Sequence, residues 1–194
     1  QPLPMLYVGE TTVSSVKLFG DQVPTELLTY VDDSIANLFF ARDDAGCIQS
    51  YHLTFHSGQE AVVTRFSELK RYLSAGTLRS IVLFYACLNV LKNGATLLVD
   101  DIGRQLDRQL ARDFVGFFSD ATLNVNGGTI VFSTHEAPLL DDLKREDELF
   151  VLTRDTQVSV LRLSDNRLLD ETTERPVRKQ VRGTAPDYCE YMKL

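Results

Sequence analysis

Tryptophan is absent from the 194 residues, and methionine (two), histidine (three) and cysteine (three) are sparse. Cys47, Cys87 and Cys189 are widely spaced. An odd, scattered set of this kind excludes a disulfide framework and reads as a reducing, cytoplasmic setting. No apolar run approaches the roughly 20 residues that a bilayer span needs, so the reading is of no membrane partner. A charged n-region followed by an apolar stretch and a small-residue cleavage site is missing too, so no secretory leader is expected. Basic excess is lacking: 20 Lys and Arg against 27 Asp and Glu leave a net charge of −7. That argues against a whole-surface grip on nucleic acid, although a local basic patch stays open. There is no internal repeat and no low-complexity tract. What is present is 44% apolar and 24% charged residues, the composition of a folded domain with a sizeable core. The length suits one domain with at most a small appendage. The first residue is Gln1, and the chain reads as beginning part-way through a longer protein.

Along the chain, residues 1–33 form an N-terminal remnant broken by Pro2, Pro4 and Pro24, with a short helix expected from Thr25. From Ile35 to Arg65 the texture is β. Strand-like runs at Leu38–Phe40, Ile48–Phe55 and Ala61–Arg65 are divided by turn clusters at Asp43–Gly46 and His56–Gly58, which predicts an antiparallel meander. Apolar residues at 78, 81, 82, 85, 88 and 91 then predict a buried helix over Ser74–Leu91, stopped at Asn93-Gly94. Ala95–Val99 is an apolar strand ending in Asp100-Asp101, and a helix follows over Asp107–Ser119. Phe114, Phe117 and Phe118 on that helix read as core. After the Asn126–Gly128 turn, Thr129–Phe132 is a second apolar strand, ending in Ser133-Thr134-His135. Helix, strand, helix, strand with fully apolar strands predicts an α/β fold whose parallel strands are covered on both faces. Glu148–Thr153 and Val158–Leu163 predict a closing hairpin, and 166–194 reads as a polar tail. The organisation is therefore a remnant (1–33), an α/β lobe with an antiparallel β subregion (34–165), and the tail.

Ligands in open parallel sheets bind at the carboxyl ends of the strands. If the two apolar strands are neighbours, Asp100, Asp101 and His135 converge on one rim. Two carboxylates suit Mg²⁺, which takes one or two and fills its other positions with water and phosphate oxygens. A second carboxylate can orient or deprotonate an attacking water, and an imidazole can donate to a phosphate oxygen. A strand ending in Asp is also common for a plainer reason, since Asp starts turns and caps helices. Leu73-Ser74-Ala75-Gly76-Thr77 runs straight into a helix. Free N–H groups and the positive end of the dipole make such a start an anion site, and Ser74 as an ordinary N-cap explains it equally well.

Taken in order, Leu73–Thr77, Thr96–Asp101, Arg104–Asp107 and Ile130–His135 resemble the C-terminal half of an ABC-type ATPase head. The resemblance is to bacterial ABC ATPases of the AAA-domain type, relatives of the OLD, RecF and SMC heads. Leu139–Asp141, Arg145–Val151, Leu161–Asp165 and, imperfectly, Arg182–Pro186 continue it. It covers about residues 30–186 and implies a partial P-loop NTPase fold. By resemblance, Asp100 is the Walker B aspartate that holds Mg²⁺, and Asp101 stands where a glutamate usually polarises the attacking water. His135 is the switch histidine, and Asp107 falls in the D-loop. Ser74, Gly76 and Thr77 form the signature that clamps the γ-phosphate of ATP held by an opposite protomer. The resemblance further implies a head-to-head homodimer, a nuclease or other effector partner, and a setting in DNA maintenance or anti-phage defence.

Two departures stand out. The Gly-Lys step of a Walker A loop never occurs, because each of Lys17, Lys70, Lys92, Lys144, Lys179 and Lys193 follows another residue. The backbone cradle and phosphate lysine are therefore not in this chain, which alone should not bind ATP tightly or turn it over. The loop is expected upstream. Asp101 is also one methylene shorter than glutamate, which sets its carboxylate about 1–1.5 Å back and can cost on the order of 10²-fold in rate. A second reading stays open: a non-catalytic interaction or dimerisation module derived from an ATPase head. His52 and His56 lack the further ligands of a metal site. Ser74 or Ser133 with His135 lacks the Gly-x-Ser-x-Gly elbow of a hydrolase. The basic run Arg175–Arg182 reads as a solvated face beside Glu171 and Glu174.

Overall fold

In a computed structural model the elements follow the order β1 (Met5–Val8), α1 (Thr25–Val31), β2 (Ile35–Arg42), β3 (Ile48–Phe55), β4 (Glu60–Val63), α2 (Ala75–Asn93), β5 (Thr96–Val99), α3 (Arg108–Ser119), β6 (Thr129–Thr134), β7 (Leu149–Arg154), β8 (Val158–Arg162) and β9 (Cys189–Lys193). A 3-10 turn spans Phe66–Arg71. The structure describes residues 5–9, 18, 20–136, 139, 148–154, 158–162, 164 and 189–193. Two compact units result, Gln1–Glu10 with Val90–Leu194, and Thr11–Asn89.

The unit Thr11–Asn89 is built on the meander. Strands β2, β3 and β4 pair antiparallel in that order. Period-two alternation places Leu38, Phe40, Leu53, Ala61 and Val63 in the core, the pattern of a sheet buried on one face. Helix α1 starts directly after Pro24, whose fixed φ suits a helix entry, and buries Leu27 and Leu28. A run of aromatic edges, Tyr85 to Phe40 (6.3 Å), Phe40 to Tyr51 (5.7 Å) and Tyr51 to Phe66 (5.6 Å), crosses this core. The Tyr85 hydroxyl donates to Gln22 O at 3.0 Å, and burial pushes its pKa up to about 12. Each such ring contact adds about 0.5–1.5 kcal/mol beyond burial.

Helix α2 is buried almost all round: Ile81, Val82, Leu83, Ala86, Cys87 and Val90 lie within the protein. By length and composition this helix could cross a membrane, but 67% of it is buried inside the structure. Its C-terminus is closed in three ways. Gly94 takes φ +61°, a left-handed position that suits glycine. The Ala95 N–H returns to Val90 O at 3.1 Å. Asn126 Nδ2 then donates to Lys92 O at 3.0 Å and Leu91 O at 3.3 Å.

The other unit carries a six-stranded sheet in the order β1-β5-β6-β9-β7-β8. Strands β1, β5 and β6 run parallel, while β9 joins antiparallel between β6 and β7, and β8 closes a hairpin with β7. The fold is thus mixed α/β, a parallel sheet with helical cover plus antiparallel strands, compatible with a P-loop NTPase-like architecture. Helix α3 packs on β6. Its amphipathic sequence buries Leu110, Ala111, Phe114 and Val115.

Three expectations need correction. Phe114 is core, but Phe117 and Phe118 are only half-buried; Phe117 meets Phe114 edge-on at 5.9 Å, because a helix on a sheet hides only one face. The parallel strands bury one face fully (Leu97, Val99, Ile130, Phe132) and the other, with Leu98 and Val131, by half. The remnant and the tail each supply a sheet strand, β1 and β9, that local sequence pattern does not announce. The stretches 140–147 and 165–188, which hold part of the post-histidine resemblance, the Arg175–Arg182 run and Arg182–Pro186, lie outside the described residues.

Candidate functional site

The register of β5 on β6 decides the geometry of the rim. Thr96 sits opposite Thr129 and Val99 opposite Phe132, so the next pair along is Asp100 and Ser133. Asp100 is held from two sides. Its N–H donates to Val8 O at 3.1 Å, extending the β1–β5 ladder by one bond. Its Oδ1 accepts from Ser133 Oγ at 3.0 Å. The same Ser133 oxygen accepts the Asp101 N–H at 2.9 Å, and the Ser133 carbonyl accepts the Ile102 N–H at 2.9 Å.

Beyond the strand the chain turns tightly. Asp101 lies at φ +47° and Gln105 at φ +61°, the left-handed region that costs most L-residues about 1–2 kcal/mol. Asp tolerates it better than most, because a short polar side chain can bond locally. The turn is closed by Arg104 N–H to Asp101 O at 3.0 Å and Leu106 N–H to Gly103 O at 3.2 Å. Ile102 is fully buried beneath it. A Cβ on Gly103 would meet Glu136 Oε1 at 2.7 Å, so the Glu136 side chain lies directly over this glycine. Glu136 Oε2 stands 3.7 Å from Arg108 Nε. The loop after β5 is therefore tied to the end of β6 by the Ser133 hydroxyl and carbonyl, and Glu136, just past β6, closes over it.

His135 follows β6 on that same edge of the sheet and is exposed. Thr134, one residue earlier, is fully buried and its Oγ1 accepts the Glu136 N–H at 3.0 Å, which fixes the turn on which His135 stands. Asp107 caps α3, its Oδ1 accepting the Gln109 N–H at 2.8 Å. Asp100, Asp101, Asp107 and His135 all belong to one compact unit. Ser74, Gly76 and Thr77 belong to the other. There Ser74 Oγ accepts the Thr77 N–H at 3.0 Å and meets Thr77 Oγ1 at 2.8 Å, while Ser80 Oγ donates to Gly76 O at 2.8 Å. The signature residues thus form a capped helix start, with Ser74 exposed and Thr77 buried.

The Asp100 carboxylate, fixed by the Ser133 hydroxyl, with Asp101 next in the chain and His135 on the same edge, offers hard carboxylate oxygen, which fits Mg²⁺ better than a soft metal. Among the described residues no group of three or more His, Cys, Asp or Glu could hold a metal by itself. A cation here needs water or phosphate to complete its shell, as Mg²⁺ ordinarily does. A triphosphate is less well provided for, since the Gly-Lys step is missing from the whole chain. Elsewhere, His52 Nε2 lies 2.9 Å from Ser50 Oγ and its ring meets Phe39 edge-on. Burial holds the Cys87 thiol well above its usual range, so it stays protonated and inert.

Ser133 and Glu136 were not singled out as site residues from sequence. Ser133 was within reach: aligning Thr96-Leu97-Leu98-Val99-Asp100 on Thr129-Ile130-Val131-Phe132-Ser133 places the two side by side. Glu136 had no comparable signal, because only the folded turn brings it over Gly103.

Residues 20–142 match the family described as "AAA domain, putative AbiEii toxin, Type IV TA system". The matched span contains every candidate residue named above. No curated protein and no solved structure matches the chain.

Proposed function

The chain belongs to this AAA-domain family, an ATPase-like nucleotide-binding class, and from that premise we propose that its sheet rim is the Mg²⁺ and water-activating half of an ATP-hydrolysing, ABC-type site. Asp100 holds the metal, Asp101 orients the attacking water, and His135 donates to a terminal phosphate oxygen. Bound Mg²⁺ supplies charge neutralisation on the phosphates. The phosphate cradle comes from sequence outside these 194 residues. Ser74, Gly76 and Thr77 face the nucleotide of a second copy, so the working unit is a head-to-head dimer, and Asp107 lies at the contact between heads. Effector partners of nuclease type, and a role in DNA maintenance or anti-phage defence, complete the reading. The family's description as a toxin of a Type IV TA system sits with the defence setting.

The observation that carries this reading is the single hydroxyl of Ser133, which joins Asp100 and Asp101 at the adjoining ends of two parallel strands. The absence of a Gly-Lys step favours the second reading, a module that docks or dimerises without nucleotide. Calorimetric titration of Mg·ATP separates them. The 194 residues alone are expected to bind weakly and the whole natural protein tightly; no heat from either would leave only the module.

The turn at Asp101 adds a prediction. Asp101→Glu should leave hydrolysis equal or faster, because the longer side chain reaches the water. Its stability should fall by about 0.5–1 kcal/mol, because glutamate lacks the local bonding that makes +47° tolerable. Turnover and urea denaturation on the same sample read both. A large loss of turnover would remove Asp101 from the water-activating position.

A further inference from the structure

We propose that Ser133 is a positioning residue for both acids of the rim, an inference that rests on the metal-carboxylate reading above. Ser133 is 7% exposed, so water competes little for its hydroxyl. The O–H donates to Asp100 Oδ1 at 3.0 Å, a bond to a charged acceptor and therefore among the stronger kind. The oxygen accepts the Asp101 N–H at 2.9 Å, and that N–H belongs to the residue at φ +47°. One side chain thus selects the rotamer of the first carboxylate and holds the backbone turn that aims the second. The Ser133 backbone adds a third tie, its carbonyl accepting from Ile102 at 2.9 Å.

A donor and an acceptor on the same atom are required, one bond from the Cβ. Threonine supplies both and suits a strand. Alanine supplies neither, so Asp100 Oδ1 and the Asp101 amide each lose their bond to Ser133. Groups that orient a metal ligand from behind typically govern affinity by about 10-fold or more.

The experiment uses the whole natural protein with Mn²⁺ as the spectroscopic stand-in for Mg²⁺, titrated in the presence of ATP and followed by electron paramagnetic resonance. Asp100→Ala is run beside Ser133→Ala and Ser133→Thr, with hydrogen exchange at the Asp101 amide as the second readout. Ser133→Ala is expected to weaken Mn²⁺ binding by about 10-fold and to speed exchange at Asp101, with Ser133→Thr restoring both to within about threefold of wild type. Wild-type Mn²⁺ affinity or unchanged Asp101 protection in Ser133→Ala, with binding lost in Asp100→Ala, would overturn the role of Ser133 and leave the metal carboxylate standing. Wild-type affinity in Asp100→Ala would overturn the metal-carboxylate reading and the inference with it.

Discussion

On the proposed reading, Asp100→Asn in the whole natural protein is expected to lower Mg²⁺-dependent ATP turnover by about 10³-fold, because Asp100 would no longer offer a bound Mg²⁺ an anionic ligand, worth several kcal/mol of charge stabilisation. The melting temperature should move by no more than about 2–4 °C, the shift that about 1 kcal/mol produces in a chain of this size. The amide is chosen for its shape. Asn keeps an oxygen where Asp100 Oδ1 accepts from Ser133 Oγ at 3.0 Å, and it keeps the backbone N–H that bonds Val8 O at 3.1 Å. The charge is removed and the second oxygen becomes an NH₂ group, while the bonds to Ser133 and Val8 can persist, so the unfolding control separates lost turnover from a collapsed rim. Steady-state phosphate release across a Mg²⁺ titration is the measurement. Turnover within a fewfold of wild type would take the metal away from Asp100.

Phe132→Ala is expected to cost about 3–5 kcal/mol of folding stability, against the 5–15 kcal/mol typical of a whole domain. Phe132 is 1% exposed and lies in β6 opposite Val99, one residue before Ser133. Removing the ring leaves a cavity that the sheet cannot close, since the neighbouring strands are fixed by their ladders. Val131, on the half-buried face of the same strand, makes the comparison: Val131→Ala should cost less than half as much. Urea unfolding of both variants with a common m-value tests the pair. Equal losses would mean that the two faces of β6 are covered alike, as strand composition alone suggests.

The element order was legible because it is written in local pattern. Apolar residues at helical spacing marked α2 (Ala75–Asn93) and α3 (Arg108–Ser119). Leu78, Ile81, Val82, Tyr85 and Leu91 are buried in the first, and Leu110 and Phe114 in the second, where Phe117 and Phe118 stay half-buried. Turn clusters at Asp43–Gly46 and His56–Gly58 divide β2, β3 and β4, as glycine and aspartate dictate. The strands at the edges of pattern were not legible. Met5–Val8 is four residues long, too short for a period, and earns its place only by pairing with Thr96–Val99 some 90 positions away. Cys189–Lys193 likewise pairs with β6 and β7, a choice made by long-range bonding. The division of the chain falls inside α2, between Asn89 and Val90, where no linker composition marks it.

The chain of residues by itself determined which chemistry is on offer: two strands ending in Asp100-Asp101 and in Ser133-Thr134-His135, a capped Ser74–Thr77 helix start, and no Gly-Lys loop anywhere. Residue identity and spacing are local quantities, and they suffice for that. Tertiary structure decided what those groups do to one another. The parallel register sets Asp100 beside Ser133, the left-handed turn at Asp101 gives the second acid its direction, and Glu136 closes over Gly103. Each of these depends on hydrogen bonds or contacts between segments more than thirty residues apart. Their free energy is gained only when the strands meet, and it leaves no trace in the period of either strand.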